Sequence, residues 1–187
     1  MNHKASCIGF TVALVALSCL IFPAQADRGH GWGKQERSHH GRGRDGYSQS
    51  HAPNQTYKKV CGQCHFALPA VLLPAASWRK ICDGLTEHFG ESLTMNPAEK
   101  MEIAAFLQGN AADAGGHKLG RKIMRNLGYQ TPSRVTELPY IQRKHRPGKV
   151  PPEVFQRKSV GSMANCVACH PGAEKADFND HRVRIPD

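Results

Sequence analysis

The pentapeptide Cys-x-x-Cys-His occurs twice in this chain, at residues 61–65 and 166–170. With 7 Cys and 11 His among 187 residues, two copies are expected by chance on the order of once in ten thousand shuffled sequences. The spacing is that of c-type haem attachment, in which both thiols form thioethers to the haem and the adjacent His ligates the iron. The sequence therefore predicts two covalently bound haem c groups.

Two other chemistries use closely spaced cysteines, namely a zinc site assembled from both halves and a thioredoxin-like redox pair. Zinc would not explain the His that follows each second Cys, and a redox pair would not be present in two copies. We therefore expect haem attachment at the four motif cysteines and proximal iron ligation by the two motif histidines. These residues are Cys61, Cys64, Cys166 and Cys169 for attachment, and His65 and His170 for the irons.

Residues 1–26 have the features of a secretory signal peptide: Lys4, an apolar run at 8–22 and Ala-Gln-Ala at 24–26. Cleavage is expected before Asp27. An uncleaved anchor and a lipoprotein cut before Cys19 are the alternatives, but the apolar run falls short of the roughly 20 residues that span a bilayer. No later segment is apolar for long enough, so we expect a periplasmic protein without membrane insertion.

The remaining chain divides by composition into three segments. Residues 27–53 are rich in Gly, His and Arg with almost nothing apolar, which predicts a flexible tail. The ordered body is expected to comprise a first haem-binding half at 54–112 and a second at 113–187, separated within the small-residue stretch 109–116. Because two haems supply apolar core surface, the expected fold class is mainly α with little sheet.

Periodicity and capping signals predict several short helices. Asn96-Pro97 with Glu99 is a strong helix start, because Asn caps and Pro suits the first helical position. Further helices are predicted at 57–66, 77–89 with Ser77 as cap and Gly90 as terminator, 117–127 before Gly128, 139–145 and 152–155. Extended structure is predicted at 67–76, and a short strand at 135–138.

The distal iron ligands must come from outside the motifs. Trp78, Ile81, Cys82, Leu85 and His88 recur at helical spacing, which places His88 on an apolar face where an iron would satisfy it. The leftover thiol Cys82 is expected to be a small buried apolar residue on the same face.

We assign His88 to the first haem and His145 to the second, although a crossed arrangement is possible. His117 and His181 are expected at the surface. The methionines are expected to fill the core rather than to ligate iron: Met95, Met101, Met124 and Met163.

The formal net charge of +10 predicts a moderately basic surface, even after loss of Lys4 and addition of haem propionates. Such a surface speeds encounter with acidic partners. Nucleic acid is discounted, because an exported haem protein does not meet it.

Several segments resemble the dihaem cytochrome c family of proteobacteria. They are the first motif with Phe-Ala-Leu-Pro-Ala after it, Leu-Pro-Ala-Ala-Ser-Trp-Arg at 73–79, Glu-His-Phe-Gly at 87–90, Lys-His-Arg at 144–146, Ala-Asn before the second motif, and Val-Arg-Ile-Pro at 183–186. The resemblance implies a periplasmic protein with two bis-histidine haems, with His88 and His145 at the distal positions. It also implies electron exchange with a small oxygen-binding cytochrome or a membrane b-type cytochrome.

The function expected from the sequence is electron transfer between redox proteins by a monomer that is not an enzyme. The alternative is a dihaem redox enzyme, peroxidase-like or a sulfur-compound dehydrogenase, in which one haem is open or ligated by Cys. A haem-based gas sensor is a further alternative, because an open iron binds small molecules.

Overall fold

The computed structural model describes residues 54–187. The signal peptide predicted at 1–26 and the tail predicted at 27–53 lie outside the described residues. Within 54–187, no helix combines the length and the apolar character needed to cross a bilayer.

The architecture is mainly helical, as predicted. Residues 54–187 form no strand, and their only bridge pairings are His88 with Glu91 and Gly172 with Asp177. The α-helices are α1 (Gln55–Cys61), α2 (Ala75–Asp83), α3 (Pro97–Gly109), α4 (Lys118–Met124), α5 (Pro139–Lys144) and α6 (Cys166–Cys169). Short 3₁₀ helices lie at Ala70–Leu72, Leu85–Glu87, Val135–Glu137, Pro152–Gln156, Ala173–Lys175 and Asp180–Arg182.

Side-chain caps fix two of the helix starts. The Asn54 side chain accepts a hydrogen bond from the Tyr57 amide at 2.9 Å, and the Asn96 side chain accepts one from the Ala98 amide at 2.8 Å. Pro97 occupies the first turn of α3, where its missing N–H costs nothing. The predicted start of α3 is therefore confirmed.

Four local predictions are wrong. Helix α2 begins at Ala75 after Pro74, so Ser77 lies inside the helix and is fully buried. The same helix ends at Asp83 with Gly84 as its C-cap. It therefore ends well before Gly90, the terminator predicted from the sequence. The segments predicted as extended at 67–76 and 135–138 each contain a 3₁₀ turn, which is buried throughout at Ala70–Leu72 and buried at Val135 in the second.

One hydrophobic core joins the elements around α2 and α3. Trp78 of α2 donates from its indole nitrogen to the Ala70 carbonyl at 2.7 Å, and the Tyr57 hydroxyl donates to the Leu68 carbonyl at 2.9 Å. These bonds pin the segment that follows the first motif. Core residues occur on both sides of position 112, from Tyr57 to Leu138, and the division at 112/113 stays a prediction.

Two further side chains differ from expectation. His117 is buried rather than exposed, and it occupies the N-cap position of α4. Met101 is 69% exposed on α3, so it does not fill the core. His181 is exposed as predicted.

Helix α3 offers a direct test of this core. Replacing Ile103, which is 2% exposed, by Ala should lower the free energy of unfolding by about 2–5 kcal/mol, because a cavity replaces packed methylenes. Met101→Ala on the same helix should change it by less than about 0.5 kcal/mol. Chemical denaturation followed by far-ultraviolet circular dichroism measures both, and equal effects would contradict the described packing.

Candidate functional site

The first motif starts at the last residue of α1. Gly62 caps that helix by donating its amide to the Lys58 carbonyl at 3.1 Å. A Cβ at this position would collide with the same carbonyl oxygen, so the close turn after Cys61 requires glycine. His65 follows, and its Nδ1 lies 2.8 Å from the Phe66 carbonyl oxygen. Because a carbonyl only accepts, Nδ1 carries the proton and Nε2 is left free to bind a metal.

His88 is presented by a tight turn and not by a helical face. Its amide donates to the Glu91 carbonyl at 2.8 Å, and the Glu91 amide donates back to the His88 carbonyl at 3.1 Å. The two residues between them have positive φ, +56° at Phe89 and +101° at Gly90, which is the backbone of a type I′ turn. The helical position predicted for His88 is therefore wrong, because α2 has already ended at Asp83.

The strain at Phe89 is offset by ring contacts. A non-glycine residue in the left-handed region costs about 1–2 kcal/mol. The Phe89 ring lies 4.8 Å from the His88 ring, and the guanidinium carbon of Arg134 lies 4.0 Å above the Phe89 ring centre. Such a cation–π contact contributes about 0.5–1 kcal/mol when exposed. These contacts fix the orientation of the turn that carries His88.

The ring centres of His65 and His88 lie 6.3 Å apart, and the two ring planes are only 18° from parallel. A metal–imidazole bond is about 2 Å long, and roughly 1 Å separates the nitrogen from its ring centre, so one shared metal spaces two imidazoles by about 6 Å. The first pair therefore has the spacing that one metal ion between two axial imidazoles requires.

The second pair has the same spacing with a different orientation. His170 follows α6, and His145 follows α5, whose Ile141 carbonyl lies 2.9 Å from His145 Nδ1. The His145 and His170 ring centres are 6.0 Å apart, with planes at 74°. The histidines thus pair in the uncrossed way, first motif with His88 and second motif with His145.

A cavity of about 490 Å³ lies against both histidines of the second pair and reaches the first pair only at His65. Its walls include Cys166, Cys169, His170 and His145 from the second site, and His65 from the first. The cavity therefore belongs mainly to the second site and touches the first at His65, since neither His88 nor the first motif's cysteines line it.

Burial favours the neutral imidazole of His88 and His170, which is the form that binds a metal. Desolvation is the main cause that lowers the pKa of His88 and of His170, and the facing histidine of each pair lowers it further. The Phe178 ring contacts His170 at 5.3 Å, and the Phe155 ring lies 6.3 Å from His145. Phe178 and Phe155 were not singled out from the sequence, since no local pattern marks them.

Burial is also the largest influence on the pKa of three of the four motif cysteines. It raises the pKa of Cys61 to about 11, with a further contribution from nearby Cys82, and it raises the pKa of Cys166 and Cys169. Cys82 is 5% exposed and belongs to the hydrophobic core, as predicted. In the described part of the chain, no three His, Cys, Asp or Glu side chains cluster as a zinc site would need.

Comparison with known proteins agrees with this geometry. The family described as dihaem cytochrome c matches residues 57–178. A diheme cytochrome c from Rhodobacter sphaeroides is similar at 39% identity and a TM-score of 0.60, covering 67% of this chain and 97% of that one. A diheme cytochrome type c from Shewanella baltica is similar at 34% identity and a TM-score of 0.57, covering 71% and 93%. No curated protein matches the chain.

The fold, the two motifs and the paired imidazoles define a c-type cytochrome with two covalently bound haem c groups. The chain belongs to the dihaem cytochrome c family. The residues present fit both haems, because each motif lies beside a histidine pair that leaves room for one iron.

Removing a distal histidine tests the pairing. His88→Ala and His145→Ala should each convert one haem of the two to a five-coordinate or water-bound state, since each iron loses one ligand. His117→Ala removes a buried histidine outside both pairs and should leave both haems six-coordinate. Absorption and resonance Raman spectra report coordination; a change at both haems in either distal variant would contradict the uncrossed pairing.

Proposed function

We propose that this cytochrome carries electrons between redox proteins in the periplasm, with both irons closed by two histidines. Cys61 and Cys64 would attach the first haem and Cys166 and Cys169 the second. His65 with His88, and His170 with His145, would hold the irons. The observation that carries the proposal is the spacing of the two histidine pairs, 6.3 and 6.0 Å.

Each haem, when bound, takes up and releases one electron at its iron. The chain's own contribution is to keep the ligand set constant. The Nδ1 contacts of His65 and His145 with backbone carbonyls hold those rings in one tautomer and one orientation. Rings held in place move little between oxidation states, which favours fast transfer without bond making.

The proximity of His65 to the second pair supports direct exchange between the two centres. His65 of the first pair borders the same space as His145 and His170. An electron accepted at one site would therefore reach the other without crossing a folded layer. This arrangement suits a carrier that receives from one protein and delivers to another.

The proposed location and partners rest on the sequence. The segment at 1–26 has the pattern of an export signal, and c-type cytochromes are completed outside the inner membrane. The family resemblance favours two partners, a small oxygen-binding cytochrome and a membrane b-type cytochrome. A monomer is expected, with contacts to partners that form and dissociate during turnover.

The rival function is a dihaem enzyme with one open or Cys-ligated iron. Cys82 is the leftover thiol, and it lies in the hydrophobic core near Cys61, while His88 occupies the position paired with His65. A Cys-ligated centre would require that core to rearrange. The geometry therefore favours a carrier over a peroxidase-like or sulfur-oxidising enzyme.

Carbon monoxide distinguishes the two functions. The dithionite-reduced protein should show no spectral shift under carbon monoxide, because both distal positions are filled by histidine. His145→Ala should gain one binding site and so acts as the positive control. Carbon monoxide binding by the unaltered protein, or peroxide turnover at the rate of a dedicated peroxidase, would contradict the proposal.

A further inference from the structure

Charge is distributed unevenly along the described chain. Residues 54–112 contain five Lys or Arg and five Asp or Glu, and are therefore neutral in side-chain charge. Residues 113–187 contain 14 Lys or Arg against seven Asp or Glu. All of these 14 cations except Lys144 are exposed. The excess positive charge of residues 54–187 thus belongs to the part that holds the second histidine pair.

Several of these cations surround the second site. Lys149 lies on the cavity wall, whereas Arg134, which also lines the cavity, lies over the Phe89 ring beside the first pair. Arg143 and Arg146 flank the pair Lys144-His145 in sequence, and both are exposed. Arg157 is close enough to Cys169 to lower the pKa of its thiol against the larger effect of burial. We call Arg143, Arg146, Lys149 and Arg157 the basic face.

The nearby acids do not neutralise this face. Asp180 is held by Lys144, whose Nζ lies 2.6 Å from its carboxylate, and Asp177 is held by Arg182. Lys149 and Lys122 also lower the pKa of Asp180 after the hydrogen bond from Lys144, which shows how closely these cations gather. Within residues 54–187, none of the four cations of the basic face forms an ion pair, and the carboxylates of Asp177 and Asp180 already have other partners.

The first site has a different surface. Lys58 and Lys59 are its nearest exposed cations in sequence, three and two residues before Cys61. The turn that carries His88 is flanked by Glu87 and Glu91. Exposed cations and acids therefore occur together at the first site, where Arg134 also lies over Phe89, whereas cations are in excess on the basic face.

We propose that the basic face is the docking surface for an acidic redox protein, which exchanges electrons with the second haem. The inference rests on the proposed electron-transfer function and adds the site and the chemistry of one partner. A field of one sign around a buried redox centre raises encounter rates by about 10–10³ at low ionic strength. Residues 54–112, which are neutral in side-chain charge, would bind a second partner through contacts other than an excess of charge.

The test uses flavodoxin, an acidic one-electron protein, as the probe. Fully reduced flavodoxin loses one electron and a ferric haem of the cytochrome gains it, so the step balances. Stopped-flow absorption gives the second-order rate constant as a function of salt. The charge-reversed variant Arg146→Glu/Lys149→Glu is compared with Lys58→Glu/Lys59→Glu, which changes the net charge of the holoprotein by the same amount.

At about 10 mM ionic strength the Debye length is about 30 Å, and reversal on the basic face should slow the reaction about tenfold. The control should slow it by less than about twofold, since its charges lie away from the second site. The rate constants of the unaltered protein and of the two variants should converge at high salt, because salt screens the attraction that speeds encounter. A difference caused by a changed haem potential would persist at high salt. Equal slowing of both variants, or a difference that persists at high salt, would overturn the inference.

Further measurements distinguish a failure of the docking surface from a failure of the carrier function. If carbon monoxide binds the unaltered protein, the proposed carrier function fails whatever the salt dependence shows. If the carrier function holds but both variants behave alike, only the docking surface is wrong. Salt-sensitive binding to phosphatidylglycerol vesicles that the basic-face variant loses would assign this face to a membrane and overturn the acidic-protein partner.

Discussion

The spacing between facing imidazoles is the constraint on which the functional structure depends. Two rings held about 6 Å apart leave room for one metal and for little else, and this spacing occurs at both sites. Each pair joins a motif histidine to a residue from a separate element, His88 on a turn and His145 at the end of α5. Folding of the helices is what brings these distant positions together.

The sequence was sufficient for the features that have local chemical signals. The motifs predicted two haems, Asn96 and Pro97 predicted the start of α3, and helical periodicity together with two haems in the core predicted a mainly helical fold. The structure pairs His88 and His145 with the motif histidines in the predicted uncrossed way, while their roles as iron ligands stay proposals.

What the sequence could not predict depends on distant contacts. His88 was predicted on a helical face, yet Gly84 ends α2 and a turn with Phe89 at φ +56° presents it instead. Phenylalanine is unfavourable there, so no local pattern indicates the turn. It is supported by Arg134, which lies 45 residues further along the chain. His117 was expected at the surface, because no residue nearby in the sequence indicates that its side chain is buried.

Electron paramagnetic resonance of the oxidised protein tests the central claim most directly, because it reports the ligands of each iron and the angle between their planes. Nearly parallel imidazoles give a rhombic low-spin signal, and nearly perpendicular ones give a low-spin signal with a larger maximum g value. With ring angles of 18° and 74°, we predict one signal of each kind in equal amounts. A high-spin or thiolate-ligated signal from either iron would contradict the account.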